Sequence, residues 1–445
     1  MSGLIARPVR AGGSGAWPER LYALAAGLAT PGLRLMLRRR LGRGKEIAAR
    51  LPERRGVDAT PRPPGRLLWL HAASVGETVS VLPVLAALDP EWHVLLTTGT
   101  VTSAALLGRR LPAMAKDHSG LDRRVLHRFV PLDVPRWTAR FLDHWRPDVA
   151  AFVESELWPN LLAGCRSRGI PTALVNARMS ERSARRWRRL PGLAARMLGG
   201  FDTVQAQSEP DATRLRALGA RDVSVAGDLK FAAPALPFDA AELATLQAAV
   251  GGRPIWLAAS THPGEEVLAA EVHRALADRH PGLITIIAPR HPERGPAIAA
   301  ALGGAARRAG GEGPPAGGIW IADTMGELGL LYRLAGIAFI GKSLTGRGGQ
   351  NVLEPARLGC AIAVGRHTAN FTAAVGTLEA VGALTRVADA AALAQWVDAL
   401  LVDPARRLAG GRAAREAADR HAGLPALTAR RLEALARPPA PECRD

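Results

Sequence analysis

From residue 67 onward the chain alternates short apolar runs with longer amphipathic stretches, and that rhythm restricts its fold more than any other feature. Runs at 67–71, 93–98, 126–130, 149–153, 172–176, 203–207 and 223–226 read as strands. After a Pro- and Ala-rich passage at 232–240 the pattern resumes at 255–259, 283–288, 319–322, 337–340 and 361–364. Strands separated by helices run parallel, and parallel sheets are covered on both faces. The fold class is therefore α/β, with doubly wound Rossmann-like sheets. The Gly- and Ala-rich stretch 303–318 reads as a surface loop.

An internal echo points to two such sheets. Leu68-Trp-Leu-His-Ala-Ala-Ser-Val-Gly-Glu77 and Ile255-Trp-Leu-Ala-Ala-Ser-Thr-His-Pro-Gly-Glu265 each give a Trp-bearing strand, a small-residue loop and Gly-Glu at a helix start. The organisation expected is an N-terminal segment 1–60, a Rossmann-like domain 61–232, a linker 233–248, a second Rossmann-like domain 249–437 and a tail 438–445. The two domains are expected to face each other across a cleft. Ligands of such sheets bind beyond the carboxyl ends of the strands, so the loops after the Trp strands should line it.

Composition excludes several classes. Of the 445 residues, 48% are hydrophobic, too many for a disordered chain. Three cysteines, Cys165, Cys360 and Cys443, are widely spaced without a C-x-x-C pair, which excludes a zinc cage or disulfide framework. The net charge of +18 is unevenly placed. One basic block runs from Arg34 to Arg55, and another holds Arg178, Arg182, Arg185, Arg186, Arg188 and Arg189. Such clusters attract phosphates of nucleic acid, lipid or substrate, although a solvated helix face also explains the second. The apolar stretch 21–37 is interrupted by Pro31, Gly32 and Arg34 and precedes the first block, as suits an interfacial anchor beside anionic lipid.

Four stretches carry chemistry. Gly341 to Glu354 is a glycine-rich turn after a strand, with helical spacing from Asn351 to Leu358. A helix start there would offer N–H groups to a phosphate and Glu354 to ribose hydroxyls; a turn needing glycines for itself is the alternative. Ser74-Val-Gly-Glu77 matches a capping box, and Glu77 also fits a general base whose pKa the helix start would lower. Glu154 and Glu156 end the fourth strand, where alternation would point both the same way. Lys230 either reaches the same region or is an exposed linker lysine.

His71-Ala-Ala-Ser-Val-Gly-Glu77, Glu154-Ser-Glu-Leu-Trp-Pro-Asn160, Asn176-Ala-Arg-Met-Ser180, Gly227-Asp-Leu-Lys-Phe231, Ala288-Pro-Arg-His-Pro292 and Gly348-Gly-Gln-Asn-Val-Leu-Glu354 occur in this order. Together they closely resemble the 3-deoxy-D-manno-octulosonic acid (Kdo) transferases of lipopolysaccharide synthesis, over about residues 20–430. The resemblance implies a GT-B glycosyltransferase moving Kdo from CMP-Kdo to a lipid A precursor (lipid IVA) with inversion, at the cytoplasmic face of the inner membrane, without metal or cofactor. Glu77 then matches the general base, and Glu154 and Lys230 match positions that stabilise the transition state. Pro289, Arg290, Met325, Gly326, Glu327, Asn351, Val352, Leu353 and Glu354 would form the CMP site. Arg178, Arg182, Arg185 and Arg188 would meet the acceptor phosphates. The chain departs from the family pattern at Gln350, where many relatives have His, at Lys342, where Gly is usual, and at Arg366, where Pro often stands. A UDP-sugar enzyme on the same fold, or a basic membrane or nucleic-acid binder without catalysis, are the competing expectations; nucleic acid is not an expected partner.

Overall fold

Consecutive residues of the first strand, β1 (Leu67–His71), feed opposite cores: Leu67 and Trp69 pack in one, Leu68 and Leu70 in the other. A strand apolar at every position is stable only where helices cover both faces of its sheet, and this one is fully buried. The computed structural model describes residues 17–116, 118, 120–232, 235–346 and 348–436. Residues 1–16 of the N-terminal segment, the tail 438–445 with Cys443, and linker positions 233 and 234 lie outside the described residues. The described residues form two compact units, one holding those up to 232 and those from 423 to 436, the other those within 235–422.

In the first unit β1 is joined by β2 (His93–Thr98), β3 (Val125–Phe129), β4 (Val149–Val153), β5 (Thr172–Ala177), β6 (Thr203–Ala206) and β7 (Val223–Val225). All pair in parallel, in the order β3-β2-β1-β4-β5-β6-β7. The chain winds outward from β1 to β3, returns to β4, and winds outward again. The β1/β4 junction is thus a topological switch point, where the carboxyl ends open a crevice.

The second unit repeats the plan with β8 (Ile255–Thr261), β9 (Ile284–Pro289), β10 (Ala306–Arg307), β11 (Gly318–Ile321), β12 (Ile337–Ile340), β13 (Ala361–Val364) and β14 (Leu384–Arg386). Its order is β10-β11-β9-β8-β12-β13-β14, which puts the switch point between β8 and β12. The two Trp strands of the internal echo, β1 and β8, therefore stand at equivalent places.

Three details differ from the sequence reading. The helix Leu424–Leu435 belongs to the first unit, not to a second domain ending at 437. Leu424, Ala429 and Leu432 enter a core of the first sheet, and Glu433 accepts the Asp89 N–H at 2.8 Å. Its pattern is amphipathic like any other helix, so nothing local reveals which sheet it covers. The passage 233–248 is helical from Ala240, with Asp239 capping the helix Ala240–Val250. The stretch 303–318 is no free loop: it supplies β10, whose Arg307 binds Asp323, and the adjoining Arg308 binds Glu327.

The N-terminal segment folds as two helices, Trp17–Leu28 and Thr30–Gly42, with Pro31 in the first turn of the second. Among the described residues no helix is long and apolar enough to cross a membrane. Part of the following basic block is structural. Arg40 and Arg54 hold the buried Glu46 at 2.8 and 3.0 Å, and Arg54 also donates to the Gly99 carbonyl at 2.6 Å. Arg50 pairs with Glu53 at 2.7 Å. Arg34, Arg38, Arg39, Arg43 and Lys45 stay exposed.

Candidate active site

At the switch point of the first sheet, Ser74 caps the helix Val75–Ala87. The Ser74 hydroxyl donates to Glu77 Oε1 at 2.7 Å, the Ala73 N–H donates to Oε2 at 2.8 Å, and Glu77 N–H donates back to Ser74 Oγ at 3.3 Å. Half of the expected capping box forms: Ser74 caps the helix, but Glu77 takes the N–H of Ala73 rather than that of Ser74. These bonds use one site on each carboxylate oxygen and leave the others open to a proton or hydroxyl. Glu77 is 9% exposed. Burial raises its pKa above the ordinary glutamate value, the Ser74 hydrogen bond pulls it back, and the Glu156 and Glu154 charges push it up. The expected lowering at a helix start is thus overturned: desolvation among neighbouring carboxylates outweighs the helix dipole.

Glu154 begins where β4 ends. Its φ of 58° is left-handed, so strand alternation stops there and the two carboxylates part. Glu154 turns to Lys230, whose Nζ lies 2.6 Å from Oε1. Glu156 instead accepts the Trp158 indole N–H at 2.6 Å and lies 3.4 Å from Nε2 of the buried His71. Burial opposes its ionisation, but His71 and Trp158 hold its pKa below the ordinary range.

Lys230 is no linker lysine. Asn176, at the end of β5 with φ 51°, accepts the Leu229 N–H on Oδ1 at 2.9 Å, and Asp228 accepts the Lys230 N–H at 2.9 Å. Glu154 N–H donates to the Val175 carbonyl at 3.0 Å, which ties the pair into adjacent strand ends. Two non-glycine residues held in the left-handed region at neighbouring strand ends mark strain maintained by their surroundings. The Arg178, Arg182, Arg185 and Arg188 side chains are exposed on and beside the short helix Glu181–Trp187. Arg185 and Arg188 share Glu181 at 3.7 and 3.1 Å, exposed pairs that stay available to a stronger anion.

At the switch point of the second sheet the counterpart of Glu77 has a different task. Glu265 is 1% exposed and accepts four backbone N–H groups, from His262 at 3.0 Å, Lys342 at 2.6 Å, Ser343 at 2.9 Å and Leu344 at 3.0 Å. It ties the loop after β8 to the loop after β12. Around that tie stand Arg290, His291, His262 and Lys342, with Gln350 Nε2 at 3.1 Å from His262 Nε2. Pro289 closes β9, and the Arg290 N–H donates to the Thr261 carbonyl at 3.0 Å, which fixes its backbone.

The other predicted donor residues of this unit fall into two groups. Met325 is 76% exposed and Gly326 has φ 85°, while the Glu327 carboxylate is already engaged by Arg308 at 2.6 Å. That bond holds the Glu327 pKa down. Helix Leu353–Arg357 has five residues, not the eight expected, because Val352 is already its N-cap. Asn351 Oδ1 accepts the Leu353 N–H at 3.0 Å and its Nδ2 donates to Glu354 at 3.2 Å. The glycines before it serve the chain itself: a Cβ on Gly348 would come within 2.5 Å of Asn370 Nδ2. Sequence reasoning missed His71, His262 and His291 as neighbours of the two sites, although the two echoed stretches contain the first two.

Residues 48–233 match the family model of 3-deoxy-D-manno-octulosonic-acid transferase (kdotransferase). A 3-deoxy-D-manno-octulosonic acid transferase of Bordetella pertussis is 37% identical over 409 residues, covering 89% of this chain and 93% of that protein. A probable mitochondrial one from Arabidopsis thaliana is 35% identical over 410 residues, 88% and 89% of the two chains. The chain belongs to the Kdo transferase family. Its fold is GT-B: a glycosyltransferase from Rickettsia africae superposes with a TM-score of 0.52 over 84% of this chain and 98% of that one at 14% identity. The UDP-GlcNAc 2-epimerase of Neisseria meningitidis gives 0.55 over 83% and 100%, also at 14%. Those distant likenesses concern the fold alone. Membership of the Kdo transferase family extends over both switch points.

Proposed function

We propose that the chain transfers Kdo from CMP-Kdo to lipid IVA, a lipid A precursor, with inversion at the anomeric carbon and no metal ion or cofactor. The observation that carries the reading is the contrast at the two switch points, a poised carboxylate on one unit and a cationic cluster on the other. Glu77 takes the proton of a glucosamine hydroxyl as that oxygen bonds to the anomeric carbon, and the bond to the CMP phosphate oxygen breaks. A base with a pKa raised toward working pH accepts the proton more readily than a free glutamate. Lys230, fixed by Glu154, offers a positive charge to the developing transition state.

On the second unit Pro289 and Arg290, the segment Met325, Gly326 and Glu327, and Asn351, Val352, Leu353 and Glu354 hold CMP. Arg290 has an exposed guanidinium that suits a phosphate, and Glu354 suits the ribose. Glu327, already bound to Arg308, contributes as a braced loop end more than as a free ligand.

The acceptor is a lipid, and the N-terminal helix fits its surface. Trp17, Leu21, Leu24 and Leu28 lie on one helical face and are 67%, 57%, 61% and 74% exposed. The opposite face is clamped, with the buried Glu19 bound to Arg166 and to Arg196 at 2.8 Å. An apolar stripe fixed outward beside exposed arginines suits peripheral seating on an anionic cytoplasmic leaflet. Arg178, Arg182, Arg185 and Arg188 would then take the acceptor phosphates. Incubation with CMP-Kdo and a tetra-acylated precursor, read by product mass, should add Kdo and should proceed equally in EDTA. Turnover of UDP-sugars alone would reject the reading.

A further inference from the structure

The chain has 58 basic residues, yet only Lys45, Lys116, Lys230 and Lys342 are lysines. Lys45 and Lys116 are exposed; Lys230 and Lys342 are half-buried, one at each switch point. A compact ammonium differs from a guanidinium in reach and hydration, so a half-buried lysine in such an arginine-rich chain brings a group that its arginines do not duplicate.

Lys342 follows β12 with φ 59°, a backbone conformation that glycine adopts freely and a lysine does not. Its main chain is held on both sides: the N–H donates to Glu265 at 2.6 Å, and the carbonyl accepts the Gly349 N–H at 2.9 Å. No carboxylate among the described residues lies within ion-pair distance of its ammonium, whereas Lys230 has Glu154 at 2.6 Å. Around it the charge is one-sided. His262 is pushed to lower pKa by burial first and then by Lys342, with His291 and Arg290 adding to the effect and Glu265 opposing it. Both Glu265 oxygens are already occupied by backbone N–H groups. Glu293, on His291 at 3.5 Å, is exposed at the rim.

Arg290 and Lys342 side by side, with no carboxylate among the described residues paired to Lys342, suit a ligand with more than one negative charge. CMP-Kdo has two, the phosphodiester and the sugar carboxylate. We propose that Lys342 is a specificity residue of this chain, its ammonium taking the carboxylate of an acidic sugar while Arg290 takes the phosphate. The inference rests on the donor assignment above and names which group of the donor meets which cation.

The test uses the full-length protein with CMP and CMP-Kdo as separate probes. Calorimetry reads CMP affinity and steady-state kinetics reads KM for CMP-Kdo, in wild type, Lys342→Gly and Lys342→Arg. Losing a charge-assisted hydrogen bond should raise KM for CMP-Kdo roughly 10–100-fold in Lys342→Gly and leave CMP affinity within about twofold. Lys342→Arg should recover part of the loss. In wild type, pulse acetylation read by mass spectrometry should show Lys342 protected by CMP-Kdo and not by CMP, with Lys45 and Lys116 unchanged. An equal loss for both ligands, or protection by CMP alone, would put the ammonium on the phosphate and overturn the assignment; so would no change in either. Wild-type protein that neither binds CMP nor turns over CMP-Kdo would overturn the donor assignment itself.

Discussion

Glu77 and Glu265 each follow a glycine where a helix leaves the first strand of a sheet, but Glu265 accepts four backbone N–H groups and Glu77 only one, with a hydroxyl. A carboxylate saturated by N–H groups is a poor base, because each bond favours the ionised form. Glu77→Gln keeps the acceptor oxygen of the cap and removes the base, so transfer should fall about 10²–10⁴-fold with the melting temperature little changed. Unchanged turnover in a folded variant would leave Glu77 a cap alone. The pH dependence has a definite sign. Because burial and nearby carboxylates raise the Glu77 pKa, activity should be lost on acidification at a higher pH than a free glutamate would give. Glu156→Gln removes one of those negative charges, which stabilises the ionised Glu77 and should move the acid limb of kcat/KM to lower pH. An acid limb that stays in place would remove Glu156 from the site's electrostatics. Glu77 itself is legible in Ser74-Val-Gly-Glu77, but its raised pKa depends on Glu156, far along the chain, and on burial that no local pattern encodes.

At the scale of elements, the strands of both sheets are legible because buried parallel strands are apolar throughout. Short edge elements such as β10 and β14 are not, since two or three residues carry no period. The truncated helix Leu353–Arg357 is another limit: spacing from Asn351 to Leu358 is helical, but Asn351 uses its side chain to cap from outside. The least visible feature is Asn176, which connects β5 to the segment holding Lys230. Asn176→Gly tolerates the left-handed backbone and deletes only the side-chain acceptor. Loss of that bond frees the Leu229–Ala232 turn, so the ammonium should leave Glu154. The expected result is faster acetylation of Lys230 and a lower kcat, with CMP affinity unchanged because CMP is assigned to the other unit. Lys230 acetylated at the wild-type rate in this variant would show that Asp228 and packing suffice to hold it.

For the molecule as a whole, the net charge of +18 is better understood by sorting its arginines than by counting them. Arg40, Arg50 and Arg54 complete internal ion pairs, and Arg166 and Arg196 clamp Glu19. Those charges stabilise the fold and offer little to a partner. Exposed Arg34, Arg38, Arg39 and Arg43 follow the outward apolar stripe of the first helix; Arg185 and Arg188 share Glu181, and Arg182 is exposed with no ion pair among the described residues. Only this second set should respond to ionic strength, since exposed charges are screened within a Debye length of about 8 Å at physiological salt. Attraction to an anionic surface is worth about 1 kcal/mol per basic residue, so Arg185→Glu with Arg188→Glu should cost roughly 2–4 kcal/mol where those residues meet lipid phosphates. That amounts to about a 30- to 1,000-fold rise in KM for the lipid acceptor, steepest at low salt and flattening as salt is added, with KM for CMP-Kdo held within about twofold. Acceptor kinetics on phosphatidylglycerol vesicles across a salt series separate the alternatives. A loss shared by donor and acceptor would indicate damage to the fold, and a loss independent of salt would mean that these arginines do not meet the acceptor's phosphates.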